Sequence, residues 1–238
     1  YEEAMKHYVE VIEKIDRYKD FENYHLQLET EKQQCEKSLE ELCGKLTVLR
    51  KKAAVKLEKN ITETLQELNF EHARFAVKVE ELSEFTAKGK EDVEFLIATN
   101  PGADLNPLSK VASGGELSRI MLAIKTVFAD VDQIESLIFD EIDTGISGYT
   151  AGKVGTQLKR VAENRQVICV THLAQIAAMG DTHLLIEKKA EGDRTFTSVS
   201  PLSYEQRINE IARIMSGAQM TENLYNSAKE LLDRSKQI

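Results

Sequence analysis

Residues 137–147 of this 238-residue chain, LIFDEIDTGIS, constrain its fold more than any other stretch. They begin with three consecutive apolar residues, Leu137, Ile138 and Phe139, a pattern typical of strands buried on both faces of a parallel sheet. The run ends at two acids, Asp140 and Glu141. Because open α/β sheets bind ligands at the carboxyl ends of their strands, the stretch predicts an α/β fold with an acidic site. A strand that runs out into a solvated acidic turn is the alternative.

The two acids suit the hydrolysis of a nucleoside triphosphate. An aspartate at a strand end can hold Mg²⁺ through water, since this ion keeps much of its water shell and takes only one or two protein carboxylates. The neighbouring glutamate can orient or deprotonate the attacking water. Asp140 is therefore the candidate metal residue, and Glu141 is the candidate general base.

A glycine pair lies upstream, in SKVASGGELSR at residues 109–119. Ser113 is a good helix cap, and the apolar residues that follow Gly114 and Gly115 recur at helical spacing. These apolar residues are Ile120, Ile124, Val127 and Phe128. Unpaired N–H groups at a helix start attract anions, and glycines let a phosphate approach the backbone closely. The loop is a candidate phosphate site; an ordinary capped helix is the alternative.

A second strand of the same type lies downstream, in QVICVTH at residues 166–172. Its apolar run, 167–170, ends at Thr171 and His172. An imidazole can donate a hydrogen bond to a γ-phosphate oxygen. A lone histidine in a loop can equally be structural, but this one follows a strand that is similar in pattern to the strand bearing the acids.

Taken together, the order and spacing of these motifs resemble the C-terminal half of an ATP-binding-cassette ATPase head. SGGE resembles the signature motif, LIFDE the Walker B strand, DTGIS at 143–147 the D-loop, and His172 the switch histidine. Within that superfamily the chain is most similar to the RecN family, bacterial DNA double-strand-break repair ATPases related to the SMC chromosome proteins. The strings that carry this resemblance are KVASGGELSRIMLAIK, FDEIDTGISG, VTHLAQIAAMGDTHLLIEK and RINEIARIMSG, within about residues 45–235. Ala174, where most relatives have proline, is a small departure that leaves the histidine in place.

The resemblance implies a fold: the C-terminal lobe of an ABC-type, SMC-like P-loop ATPase head, preceded by a long coiled-coil helix. It also implies a homodimer that sandwiches ATP between its heads and acts on broken DNA in recombinational repair, with ATP and Mg²⁺ as cofactors. In such a dimer Glu141 is the base, Asp140 holds Mg²⁺, His172 meets the γ-phosphate, and Asp143 couples the two sites. The segment that covers the nucleotide of the opposing head is Ser113, Gly114, Gly115 and Glu116.

A Walker A loop, GxxxxGK followed by Ser or Thr, is absent from the sequence. Gly-Lys pairs occur at 44–45, 89–90 and 152–153, and Leu46, Glu91 and Val154 stand where the hydroxyl residue is needed. The chain also begins at Tyr1 rather than at Met. We therefore expect it to be the C-terminal portion of a longer protein, to need the upstream N-terminal half as a partner, and to be inactive as an ATPase alone.

The first 68 residues contain no proline and one glycine, and they are rich in Glu and Lys. Apolar positions recur in alternating steps of three and four, which predicts one helix of a coiled coil. From Tyr18 onward, the seam positions are Phe21, His25, Leu28, Lys32, Cys35, Leu39, Leu42, Leu46, Leu49 and Ala53. We thus expect a coiled-coil arm at 1–68 and the ATPase lobe at 69–238.

Alternation of apolar and polar residues predicts a hairpin from 73–82 and 93–100, and a second hairpin at 183–200 that turns near Gly192. Helices are expected at 204–216 and 221–236, separated by a cap and break at Ser216-Gly217.

The net charge of −9 argues against DNA binding by the chain's overall charge. A local basic cluster near the end of the predicted arm is either a DNA contact or a solvated helix face; it comprises Lys45, Arg50, Lys51, Lys52, Lys56 and Lys59. No run of 18 apolar residues and no signal-like start occurs, which favours a cytoplasmic protein without a membrane partner. Association with the nucleoid is what the resemblance to the RecN family implies. Three cysteines without CxxC spacing argue against a disulfide framework or a zinc site.

Three other functions compete with the DNA-repair ATPase. They are an SMC-type chromosome-structure ATPase head, a transporter ATPase subunit, and a non-catalytic coiled-coil module. A heptad arm in place of a compact helical region argues against the transporter, and the presence of Glu141 and His172 argues against the non-catalytic module.

Overall fold

The structure, a computed structural model, describes residues 2–111, 113–129, 131–191, 194–216 and 221–236. The helices are α1 Glu2–Glu67, α2 Gly114–Val127, α3 Gly148–Ala162, α4 Ala174–Ala177, α5 Tyr204–Ser216 and α6 Glu222–Ser235, with a 3₁₀ helix at Leu108–Lys110. The strands are β1 Arg74–Thr86, β2 Gly89–Ala98, β3 Asn106–Pro107, β4 Ser136–Phe139, β5 Gln166–Cys169, β6 Leu184–Glu191 and β7 Arg194–Pro201. These elements confirm the helices and strands predicted from sequence; the predicted turn at 192–193 and Gly217 lie outside the described residues.

The chain forms two compact units. Unit 1 comprises residues 1–54 and 79–93, and unit 2 comprises residues 55–78 and 94–238. Helix α1 and strands β1 and β2 contribute residues to both. The division into an arm at 1–68 and a head lobe at 69–238 stays a prediction.

In unit 1, part of α1 packs against the tip of the β1–β2 hairpin. Arg50 donates hydrogen bonds to Glu91 Oε2 at 2.6 Å and to the Lys88 carbonyl oxygen at 2.6 Å. Hydrogen bonds from Thr47 and then Arg50 lower the pKa of Glu91, a nearly buried carboxyl. The predicted seam elsewhere on the helix is open: Phe21 and Leu49 are 66% and 64% exposed. The long helix is confirmed, and its pairing in a coiled coil stays a prediction.

The main core belongs to unit 2. It combines the C-terminal turns of α1 with α2 and α3. Among its side chains with no exposed surface are Ile61, Leu65, Ile120, Leu122 and Val154. A second apolar cluster joins α4 to α5 and α6 through Ala174, Ala178, Ile208, Ile211 and Leu232. Both clusters support the segment that carries the predicted site.

The sheets of unit 2 are small. β4 pairs in parallel with β5, from Ser136 opposite Gln166 to Phe139 opposite Cys169, and β6 pairs antiparallel with β7. The prediction that β4 and β5 are buried on both faces is wrong for this chain: Leu137 and Phe139 are buried, but Ile138 is 73% exposed. Alternation of side chains along a strand places Ile138 on the opposite face, which no described element covers.

None of the described helices combines the length and the apolar character that a membrane-spanning segment requires.

We predict that Val154→Ala destabilises the chain and that Val55→Ala does not. Val154 is fully buried in α3, whereas Val55 in α1 is 68% exposed. Loss of two buried methyl groups should cost about 2 kcal/mol from transfer and cavity terms. The gain in helix propensity is common to both variants, so the exposed valine is a matched control. Urea unfolding followed by circular dichroism measures the difference; equal midpoints for the two variants would contradict this assignment of the core.

Candidate functional site at the ends of β4 and β5

The parallel pairing of β4 with β5 brings two of the predicted motifs together. Phe139 lies opposite Cys169, and the Val170 N–H donates to the Phe139 carbonyl oxygen at 3.0 Å. The residues that follow the two strands therefore leave the sheet side by side. We call Asp140, Glu141, Asp143, Thr171 and His172 the strand-end site.

Asp143 joins the two halves of the strand-end site. Its carboxylate is 3% exposed, and one oxygen, Oδ2, accepts hydrogen bonds from Thr171 Oγ1 at 2.6 Å and from the His172 backbone N–H at 2.7 Å. The same oxygen lies 3.0 Å from His172 Nδ1. The His172 ring is otherwise 73% exposed. A buried carboxylate thus fixes the turn that presents the exposed histidine.

The predicted phosphate loop begins α2 as expected. Ser113 is the N-cap, and its hydroxyl accepts a hydrogen bond from the Glu116 N–H at 3.4 Å. The second turn of α2 then lies against the residues that follow β4, because Ser118 Oγ donates to the Asp140 carbonyl oxygen at 2.9 Å. The glycine pair and the acidic motif are therefore neighbours within one chain.

The close approach of α2 to this loop requires glycine at position 115. A β-carbon on Gly114 would lie 2.7 Å from Glu141 Oε2, and one on Gly115 would lie 2.9 Å from the Thr144 carbonyl oxygen. Both distances are shorter than real Cβ contacts. At Gly115 the close atoms include the loop backbone, so a side chain there would push the loop away, whereas at Gly114 the close atom is the end of the flexible Glu141 side chain. Gly114 leaves a space beside the backbone, and the Glu141 carboxylate occupies it.

Glu141 has an unusual backbone conformation, with φ of 56°. A residue with a side chain seldom adopts this left-handed region, and such strain persists only where surrounding contacts impose it. One such contact is the hydrogen bond that the Glu141 N–H donates to Oδ1 of the preceding residue, Asp140, at 2.9 Å. Both acids are exposed. Strained, exposed residues of this kind cluster at active sites.

Arg119 was not singled out from the sequence, yet it organises the loop after β4. It is 6% exposed, and its Nη1 donates to the carbonyl oxygens of Ile142 at 3.2 Å and Thr144 at 2.9 Å. Its guanidinium also lies over the Phe70 ring, 5.4 Å from the centroid. Burial lowers its pKa, but a guanidinium stays charged in proteins. Its spacing offered a signal: Arg119 follows Gly115 by one helical turn, so both face the same loop.

The donor set fits a weakly held, hydrated Mg²⁺ better than a caged metal. Among the residues that the structure describes, no three His, Cys, Asp or Glu side chains converge to hold an ion. One exposed carboxylate, Asp140, is what Mg²⁺ takes from a protein when phosphates and water supply its other ligands. Cys169 is unsuited to bind a metal as thiolate, because burial and then the charges of Asp143 and Asp140 raise its pKa to about 12.

Comparison with solved structures defines the class of the protein. No protein-family model matches the chain. The structure superposes on the Smc head domain with a coiled coil and joint from Pyrococcus yayanosii with a TM-score of 0.53 at 19% sequence identity, covering 74% of this chain and 31% of that chain. This chain therefore has the α/β fold of an SMC head domain.

Comparison with curated sequences defines the family. The chain is 44% identical over 232 residues to the DNA repair protein RecN of Halalkalibacterium halodurans, covering 96% of this chain and 40% of that protein. It is 37% identical over 252 residues to RecN of Bacillus subtilis, covering 100% of this chain and 44% of that protein. The chain belongs to the RecN family, as the motifs predicted, and it spans about two fifths of the length of these relatives.

We predict that Cys169 resists alkylation at pH 8 while exposed Cys35 reacts. The thiolate is the nucleophile in this reaction. A pKa raised from 9.0 to about 12 makes the thiolate fraction of Cys169 at pH 8 about three orders of magnitude smaller than that of an ordinary thiol. Timed iodoacetamide labelling with peptide mass spectrometry measures both rates, and labelling in urea should make them similar. Equal rates in the folded chain would contradict the burial of Cys169 beside the two carboxylates.

Proposed function

We propose that the chain is the ATP-hydrolysing C-terminal half of a DNA-repair ATPase. The observation that carries this proposal is the placement of Glu141: a strained, exposed carboxylate at a strand end, held against the glycines of the SGGE loop. A solvated acidic turn would need neither the strain nor the close approach. The relatives in the RecN family are named DNA repair proteins, which supports a role in DNA repair.

In the proposed reaction the residues of this chain have separate tasks. Glu141 orients the attacking water and accepts its proton, and His172 contacts the γ-phosphate from the neighbouring strand end. Asp140 would hold Mg²⁺ through water, and the ion would neutralise phosphate charge. Asp143 is buried, so any coupling of two nucleotide sites would pass through the Thr171–His172 turn that it holds.

The second half of the nucleotide site would come from an opposing head. Ser113, Gly114, Gly115 and Glu116 would cover a nucleotide held by the partner subunit, with backbone N–H groups directed at phosphate. The space beside Gly114 fits a close anion, but the Glu141 carboxylate fills it in this structure. We propose that nucleotide-dependent dimerisation moves this side chain out of the space and toward its own nucleotide.

The upstream part of the same protein is the other proposed partner, and it would supply the Walker A loop. The open faces of unit 2 support this idea. Ile138 and Ile168 are 73% and 44% exposed on one face of β4 and β5, and parallel sheets are ordinarily covered on both faces. Each sheet of unit 2 that follows α2 has two strands in the described chain, which is marginal in water. The chain alone would then lack ATPase activity. In the complete protein, residues 1–68 would form the arm of the ATPase head, and the protein would act on the nucleoid in the cytoplasm.

DNA is the proposed macromolecular partner, with contacts from the basic cluster of α1. Within unit 1 the cluster divides. Arg50 turns to Glu91, whereas Lys45 and Lys52 are exposed and lie two helical turns apart on one face. Exposed lysines on a shared face can contact successive phosphates.

We predict that Glu141→Gln, in a protein of the length of the relatives, keeps ATP binding and loses hydrolysis. The amide preserves the shape of the side chain but cannot accept a proton, so turnover should fall about 100- to 10,000-fold. ATP turnover and ATP-dependent dimerisation, measured by phosphate release and size-exclusion chromatography, test this expectation. Glu135→Gln makes the same change just before the opposite end of β4 and should leave turnover intact. Wild-type turnover in Glu141→Gln would remove Glu141 from the mechanism.

We also predict that Lys45→Glu with Lys52→Glu weakens DNA binding and flattens its salt dependence while ATP hydrolysis without DNA persists. Each phosphate contact contributes about −0.9 to the slope of log K against log salt, so the slope should change by roughly 2. Fluorescence anisotropy with duplex DNA at several salt concentrations measures it. Lys14→Glu with Lys19→Glu changes the net charge equally elsewhere on α1. If the two double variants show equal salt slopes, the effect comes from overall charge, and the basic cluster of α1 is a solvated helix face.

A further inference from the structure

The contact between Asp143 and His172 determines which ring nitrogen is available to a ligand. Three groups of the Thr171–His172 turn converge on one carboxylate oxygen, Asp143 Oδ2, at 2.6, 2.7 and 3.0 Å. Two of them, the Thr171 hydroxyl and the His172 N–H, are donors, so this oxygen acts as the acceptor. Thr171 Oγ1 in turn accepts from the Leu173 N–H at 3.1 Å, which leaves its proton for Asp143.

The position of the proton on the His172 ring follows from which groups can donate and which can accept. An ionised carboxylate is acceptor-only, and a neutral imidazole has one donor nitrogen and one acceptor nitrogen. At 3.0 Å from the carboxylate, an unprotonated Nδ1 would place two acceptors in contact. The negative carboxylate beside Nδ1 favours a proton on Nδ1, which leaves Nε2 for a ligand. Nε2 is then an acceptor in the neutral ring and a donor in the protonated ring.

We propose that Asp143 is a positioning residue that holds His172 in the Nδ1–H tautomer with Nε2 directed outward. This assignment rests on the proposed ATPase function for its purpose, because His172 would be the group that meets the γ-phosphate or the water beside it. A phosphate oxygen can accept only from protonated Nε2, whereas the attacking water can donate to neutral Nε2. Asp143 thereby limits His172 to these two roles.

The rest of the network favours positioning over a purely local cap. The Asp143 carboxylate is buried, whereas the His172 side chain that it contacts is largely exposed. A carboxylate that served only to cap the turn would need just the Thr171 hydroxyl and the His172 N–H. The third contact reaches past the backbone to the ring, and a carboxylate beside the ring nitrogen is a common way to orient a functional histidine.

The tautomer can be measured without ATP. In the ¹⁵N-histidine-labelled chain, two-bond ¹H–¹⁵N correlation spectra at about pH 9, where imidazoles are neutral, should show His172 as the Nδ1–H form. His172→Gln assigns the signal. Asp143→Ala should return the ring to the Nε2–H form that exposed histidines favour. Thr171→Val, the matched control, removes another donor to the same oxygen and should leave the tautomer unchanged.

In the tautomer experiment, either of two results would overturn the proposal: an Nε2–H tautomer in the unmodified chain, or an Nδ1–H tautomer that survives in Asp143→Ala. The spectrum of the unmodified chain decides the first even if Asp143→Ala fails to fold. In a protein of the length of the relatives, Asp143→Asn should lower kcat about 10- to 100-fold with little change in KM, as for carboxylate partners of histidine at metal sites. An unchanged kcat would also contradict the positioning role. The tautomer is read without nucleotide, so it stands or fails separately from the ATPase proposal.

Discussion

The parallel pairing of β4 with β5 is the interaction on which the rest of the site depends. It places residues 140–143 and 171–172 at one edge of a sheet, where a single carboxylate, Asp143, can hold both segments. The backbone hydrogen bond from Val170 to Phe139 continues the pairing past the last strand residues. A shift of one residue in this register would move the Thr171–His172 turn by about 3.3 Å relative to Asp143, too far for the hydrogen bonds between them.

Two buried charges, Asp143 and Arg119, then fix the loop after β4. Asp143 is satisfied by donors of the Thr171–His172 turn, and Arg119 is satisfied by two loop carbonyl groups and the Phe70 ring. A buried charge without partners would cost several kcal/mol, about half or more of the stability of an ordinary domain. Separation of the loop from either partner would therefore cost free energy. The strained backbone at Glu141 persists because contacts hold the chain on both sides of it.

The sequence was sufficient for features that depend on local pattern. Strand β4, the helix that starts at Ser113 and the long helix α1 were all predicted, because period and capping chemistry lie in adjacent residues. Features that depend on distant segments were not predictable in this way. The burial of Arg119 depends on a loop more than 20 residues away, and the Asp143–His172 contact depends on strand register. Ile138 is exposed because no described element covers its face of β4. The apolar run alone therefore predicted burial of this side chain wrongly.

The same contacts limit how the site can change when a ligand enters. Ser118 holds the Asp140 carbonyl group, and Arg119 holds those of Ile142 and Thr144, so the backbone is fixed on both sides of Glu141. Gly115 packs against that backbone with no room for adjustment. Movement of the carboxylate from the space beside Gly114 must then come from rotation of the Glu141 side chain, which is exposed and can rotate freely. Side-chain rotation takes picoseconds to nanoseconds in exposed residues, whereas loop rearrangement is slower by orders of magnitude. A rigid loop with one mobile carboxylate allows the base to respond to the partner's nucleotide without loss of the geometry that presents it.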